Sequence, residues 1–216
     1  METTTETGTV LPFVTGVSPV SAAQAAAVIR AVAAIASPDM ARGVLSGVHV
    51  EPDGDSVRFT ATDSYRLLTV SVAVGENGGT FDPFTLSARE LAAAAKNVKK
   101  SDVCRIEYCA GQDAATFSNG RDSFRVPTIV GTFADWRRLI PTEPAWPATG
   151  DTVSMNPVLL SGLLDSFGTI LAGGGTVKRD ADHTVTFSQA SATKVAMITA
   201  TANGIAATGL IMPLRK

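Results

Sequence analysis

Three observations predict an α+β fold of antiparallel sheets with helices laid on one side. Three segments carry helix start signals, and each is followed by short β-rich runs parted by Asn-Gly or Asp-Gly dipeptides, which supply the positive φ of tight hairpins. The predicted helix caps, Ser21, Ser87 and Asn156, lie 66 and 69 residues apart, so the chain reads as three copies of one strand–helix–strands unit.

The first helix spans Ser21 to about Ser37 (SAAQAAAVIRAVAAIAS), with Ser21 and Gln24 as a capping box and Ser37-Pro38 as its stop. The second spans Ser87 to about Lys100 (SARELAAAAKNVKK). Ser87 and Glu90 form another capping box, and three lysines sit at the negative end of the dipole. The third runs from Asn156 to about Gly168, with Asn156 as N-cap, Pro157 at the first helical position and Gly168 at the C-cap. Hairpins are expected at Asp53-Gly54, Asn77-Gly78, Asn119-Gly120 and Asn203-Gly204. The stretch GTFADWRRLIPTEPAWPATGD has neither period and reads as a connector ordered by Trp136 and Trp146. The predicted division is therefore a domain of two units at 1–131, a connector at 132–149 and a single unit at 150–216. Alanine-rich helices let a sheet approach closely on one face, leaving a few bases on the other: Arg30 in the first, and Lys96, Lys99 and Lys100 in the second.

With 216 residues, 45% hydrophobic and 18% charged, the chain can bury its own core, and a disordered class is excluded. The N-terminus lacks the pattern of a signal peptide and no apolar tract approaches the roughly 20 residues of a membrane span, so a cytoplasmic protein with no membrane partner is expected. A net charge of −2 argues against a surface that is basic all over, while leaving local basic patches open. Cys104 and Cys109, five apart in a strand-like run, face opposite sides; neither a disulfide scaffold nor a cysteine metal site is expected. His49 alternates inside a strand and reads as a packed histidine. His183 has no G-x-S-x-G serine to serve. Asp53-Gly54-Asp55 has its glycine misplaced for a calcium loop, and Gly173 to Gly175 lack the Lys-Ser/Thr of a phosphate loop. No catalytic residue, metal or cofactor is expected.

Three stretches carry a resemblance. VLSGVHVEPDGDSVRFTATDSYRLL (Val44 to Leu68) resembles the middle domain of the bacterial DNA polymerase III β sliding clamp, with its ATD-x-x-RL motif. GTFADWRRLIP (Gly131 to Pro141) is similar to that family's G-x-FPDYRRVIP connector, with Ala134 for proline and Trp136 for tyrosine. GLIMPLRK (Gly209 to Lys216) resembles its terminal VVMPMRL. The resemblance implies the DNA-clamp fold with three α/β repeats per chain: a complete middle domain and the second half of the last one. Family rings close with twelve repeats, so three per chain imply a homotetramer first and a trimer second; such economy would suit a phage clamp.

What the resemblance implies for function is a non-enzymatic processivity factor that encircles duplex DNA without sequence preference. Its DNA-facing lining would be Arg30, Lys96, Lys99 and Lys100. It would tether a DNA polymerase and clamp loader through short peptides held in a groove. Carried over by motif, that groove comprises Leu45, Thr62, Ser64, Tyr65, Arg66 and Leu67, then Arg138 and Leu139, then Leu210, Met212, Pro213, Leu214 and Arg215. Ser64 and Tyr65 stand where the family has glycine and histidine. The alternative is a non-encircling relative that binds such peptides as a decoy or a monomeric processivity factor.

Overall fold

The computed structural model describes residues 9–13, 20–74, 81–99, 102–141, 153–173, 175, 183–189 and 194–214. It is α+β, as expected, with two antiparallel sheets. Four strands, β1 (Thr9–Phe13), β6 (Cys104–Tyr108), β7 (Ala114–Ser118) and β8 (Ser123–Pro127), form one sheet in that order. The other has seven, in the order β5 (Phe84–Ser87), β2 (Gly47–Asp53), β3 (Ser56–Thr62), β4 (Arg66–Ala73), β11 (Ile205–Ile211), β10 (Ala196–Ala202) and β9 (Thr186–Gln189). The two sheets meet where Leu86 bridges Thr128 and Ile129 N–H donates to the Thr85 carbonyl at 2.8 Å. The strands of the C-terminal segment extend the sheet of the N-terminal one, because β11 pairs with β4 from Ile205↔Val72 to Ile211↔Arg66.

Hairpin chemistry is as the dipeptides predict. Asn203 and Gly204 both take positive φ, 49° and 75°, and join β10 to β11 in a two-residue turn, the geometry that matches strand twist. Asp53-Gly54 turns β2 into β3, and Asn119 opens the four-residue turn from β7 to β8, its Oδ1 accepting the N–H groups of Arg121 and Asp122. Asn77-Gly78 and Trp146 lie outside the described residues. Cys104 is buried in β6, but Cys109 falls just past the strand's end, so the two do not share a strand. Burial and the nearby Asp102 push the Cys104 thiol up to about 12.

The first helix, α1 (Ala22–Ala33), starts at the predicted capping box: the Ser21 hydroxyl accepts from Gln24 N–H at 3.3 Å, and Gln24 Oε1 from Ser21 N–H at 2.9 Å. It stops earlier than Ser37 because Pro38 bars a helical residue before it, and the chain unwinds through i→i−3 bonds at Ile35 and Ala36. The second helix, α2 (Ala88–Ala94), is shorter than predicted and passes into a 3₁₀ turn at Ala95–Asn97. The groups that would continue it are bonded elsewhere: the Ala95 carbonyl accepts from Arg30 at 2.7 Å, and Lys99 N–H donates to Asp102 at 2.7 Å. Nor does Ser87 complete a capping box. It is held in β5 opposite Gly47, and its hydroxyl donates to the Glu90 carboxylate. The third helix, α3 (Pro157–Leu171), has Asn156 as predicted cap, accepting from Val158 and Leu159 N–H. Gly168 is internal, not terminal. Ile170 joins Leu163 and Phe167 on the buried face, so another turn of helix covers more apolar surface, and the chain leaves at Gly173 with φ 58°.

All three helices and one face of each sheet share a single core. Val57, Phe59 and Ala61 of β3 and Leu68, Val70 and Val72 of β4 alternate into it, while the intervening residues face the other way. Among the described residues no helix is long and apolar enough to cross a membrane.

Candidate functional site

The face of the seven-stranded sheet turned away from the helices carries a second, smaller cluster: Leu67, Trp136, Met197 and Leu210, with Phe133, Ile140 and Val195 against it. Leu67 pairs with Leu210 across β4 and β11, and Leu210 with Met197 across β11 and β10, so strand register alone brings together residues over 140 positions apart. The 131–141 segment lies over them as a strap, with a 3₁₀ turn at Trp136–Leu139. Its anchor is Trp136, 2% exposed, with the Arg137 guanidinium 4.5 Å and the Arg58 guanidinium 5.2 Å from the ring centroid. Both arginines are held in turn: Arg137 donates to Glu51 at 2.9 Å and Arg58 to Asp53 at 2.5 Å. Burial works against the Asp53 carboxylate, but hydrogen bonds from Arg58 and Ser71 outweigh it and hold the group below its ordinary pKa. Phe133 stacks on His49 with centroids 4.7 Å apart and planes within 4°. Burial, opposed by Glu51 and assisted by Arg137, pushes the His49 pKa down, so this histidine is a packed, neutral ring.

A tight turn at 63–65 stands at the edge of this cluster. One oxygen of the Asp63 carboxylate accepts the N–H groups of Tyr65 and Arg66 at 2.9 Å each, and the other accepts Arg66 Nε at 2.9 Å. The Thr62 hydroxyl accepts Ser64 N–H at 3.1 Å and donates to the Arg66 carbonyl at 2.8 Å. The motif ATD-x-x-R is thus a self-bonded turn, and it projects Tyr65, 61% exposed, beside the apolar cluster. The result is a small pocket of about 40 Å³ lined by Thr62, Ser64, Tyr65, Arg66, Leu67, Leu139, Val195, Leu210 and Met212. Exposed Tyr65, Leu139 and Met212 form its rim, and buried Leu67 and Leu210 its floor.

The structure therefore gathers eight of the predicted groove residues around one pocket. Leu45 lies apart, half-buried in the 40–46 turn with its carbonyl accepting Ser37 N–H at 2.7 Å. Arg138 points to solvent, paired with Asp135 at 2.7 Å. Pro213 and Leu214 run past the pocket, Leu214 N–H donating to the Ser154 carbonyl at 2.7 Å. Arg215 is outside the described residues. Val195 was not predicted; it lies just before β10, two residues ahead of Met197, and packs against the same cluster.

On the helix side, Arg30, Arg66 and Arg89 line a concavity of about 480 Å³ between α1 and α2. Arg30 is half-buried and donates one guanidinium N–H to the Ala95 carbonyl at 2.7 Å, so it also caps the end of α2. Lys96 is exposed in the 3₁₀ turn after α2 and Lys99 just beyond that turn, and Lys100 lies outside the described residues. Arg89, exposed in the first turn of α2 and lining the same concavity, was not among the predicted residues. Arg66 reaches this side because residue 162 of α3 is glycine; a Cβ there would lie 2.3 Å from its Nη1.

Comparison with known proteins places this arrangement. The family model for the DNA polymerase III beta subunit, central domain, matches residues 20–134, more than half of the chain. The beta sliding clamp homolog GriR of Streptomyces muensis is 31% identical over 134 residues, covering 62% of this chain and 35% of that protein. The beta sliding clamp of Streptococcus pneumoniae is 29% identical over 154 residues, covering 70% of this chain and 39% of that protein. The chain thus spans well under half the length of these curated relatives. The crystal structure of the Thermotoga maritima DNA polymerase III beta subunit shares the fold, with a TM-score of 0.70 at 16% identity over 100% of this chain and 68% of that one. The DNA polymerase III beta chain of S. pneumoniae does so with a TM-score of 0.66 at 19% identity, over 100% and 67%. By the central-domain match, the chain belongs to the DNA polymerase III beta sliding clamp family.

Proposed function

We propose that this chain is a short sliding clamp that encircles duplex DNA as a ring of identical subunits and tethers a polymerase, a clamp loader and other replication proteins through peptides seated in the Tyr65–Leu139–Met212 pocket. The observation that carries the reading is the opposition of two surfaces across one sheet: an apolar pocket with an aromatic rim on the strap side, and the bases Arg89, Lys96 and Lys99 on the helix side. Enclosure needs only a few such charges, since tight phosphate contacts would slow sliding. A peptide held on the outward face raises the local concentration of its owner at DNA into roughly the mM range without chemistry by the clamp.

Ring closure is proposed through the free sheet edges. Among the described residues, β1 and β9 end the two sheets with no neighbouring strand. Such edges invite pairing with another copy. The division into a two-unit domain at 1–131, a connector at 132–149 and a single unit at 150–216 is part of the same proposal: three units per chain give twelve in a tetramer. Light scattering across a concentration series tests it, with four times the chain mass of 22.3 kDa expected. Three chains would keep a ring with a different closure. A stable monomer would remove encirclement and leave the non-encircling peptide binder.

The pocket is tested separately. Leu67 is 2% exposed, so a charge there would damage the fold; the rim residues Leu139 and Met212, 50% and 42% exposed, are the informative ones. Met212→Glu and Leu139→Glu are each expected to weaken binding of a fluorescein-labelled hexapeptide with two leucines, a phenylalanine and an aspartate by about tenfold or more, with melting temperature unchanged. Unaltered anisotropy titrations would sink the pocket.

A further inference from the structure

Ser64 has a φ of 79°, a backbone conformation suited to glycine, at the turn that carries Tyr65. Serine adds a hydroxyl there, and that hydroxyl is engaged. Arg42 donates from Nη2 to Ser64 Oγ at 2.7 Å and from Nη1 to the Asp63 carbonyl at 2.9 Å. The arginine comes from a separate element, the 40–46 turn, which bends at Gly43 (φ 56°, ψ −125°) and is tied down by Ser46 Oγ donating to the Gly43 carbonyl at 2.8 Å. The remaining bonds of the 63–65 turn, from Thr62 and Asp63, are local and would survive a glycine at 64. The bond from Nη2 would not. It is the one that makes use of the serine.

We infer that Arg42 and Ser64 form a lock that fixes the backbone from which Tyr65 projects, making Arg42 a positioning residue for the pocket and Tyr65 its specificity-determining wall. A glycine turn at this place can re-aim its next side chain. A turn gripped at both the 63 carbonyl and the 64 hydroxyl holds one direction, so an apolar anchor meets a preformed rim and loses less in ordering it. The specificity role rests on the peptide-pocket reading above; the lock itself does not.

Two measurements separate them. Amide hydrogen exchange at 64–66, read by NMR in the peptide-free protein, is expected to speed up about tenfold in Arg42→Ala, with β2 and β3 unchanged. Arg42→Lys, which can keep one bond, should fall between. Affinity for the labelled hexapeptide should drop about fivefold in Arg42→Ala at unchanged melting temperature, and the drop should be smaller in a Ser64→Gly background, since the two residues act through a shared bond. Unchanged exchange in Arg42→Ala, or independent, additive effects of Arg42→Ala and Ser64→Gly, would overturn the lock. Faster exchange with no hexapeptide binding by the parent protein would keep the lock and overturn both the pocket and the specificity role of Tyr65.

Discussion

Replacing Trp136 by alanine is expected to lower the unfolding free energy by about 3–5 kcal/mol, the range for truncating a fully buried large aromatic, and to abolish peptide binding with it. The indole is 2% exposed against Leu67, Met197 and Leu210, and two guanidinium groups lie over its ring. Those guanidiniums are pinned by Glu51 and Asp53 on β2, so the hole left by alanine is framed by groups that cannot simply fall inward. The lost cation–π contact adds about 0.5–1 kcal/mol for the half-exposed Arg137 and up to about 2 kcal/mol for the more buried Arg58. Leu139 sits on the same 3₁₀ turn and forms the pocket rim, so releasing the strap releases the pocket. Urea unfolding measures the first effect and peptide anisotropy the second. Trp136→Phe, which keeps most of the buried ring, should retain much of both. A loss under about 1 kcal/mol in the alanine variant would mean that the strap is not held by the indole.

Phe167→Ala should cost a similar amount, about 3–5 kcal/mol, by separating α3 from the sheet. Phe167 is 1% exposed and packs closely on β11 because residue 209 has no side chain; a Cβ there would meet Phe167 Cε2 at 2.7 Å and the Leu163 methyls at 3.1 and 3.2 Å. The void left by alanine faces backbone on the strand side, which collapses poorly. Gly209→Ala alone should overpack the same contact and cost about 1–3 kcal/mol. Because both changes act on one space, the double variant is expected to be more stable than the sum of the two losses allows. Denaturant titration of the three variants checks this, and strictly additive losses would mean that Phe167 and residue 209 do not share the contact.

Much of the fold was legible because its signals are local. A capping box at Ser21, an Asn-Pro helix start at Asn156 and an Asn-Gly turn at 203–204 are chemistry between residues within four positions of each other, and each appears where the sequence puts it. The errors came where a distant group intervened. Arg30 takes the carbonyl that the second helix needs for its next turn, Ser87 is claimed by β5, and Gly168 is overruled by a core that rewards burial of Ile170. The pocket was read from motifs for the same reason. The ATD-x-x-R turn bonds to itself, so its residues arrive together, whereas Leu45 and Arg138 travel with elements whose orientation no local signal reveals.

The α+β class and the order of helices and hairpins were determined by sequence alone, because capping, turn geometry and side-chain alternation are short-range properties of the chain; the family and most of the pocket's residue types came from the resemblance of three motif stretches. Tertiary structure decided the rest: that β4 and β11 pair into one sheet across the connector, that Trp136 is a strap anchor with two guanidinium groups over its ring, and that Arg30 donates to the carbonyl at the end of the second helix. It also decided that Arg42 reaches Ser64. Each of these depends on which surfaces meet, and that is settled by the free energy of burying one shared core and satisfying its polar groups, which no window of neighbouring residues contains.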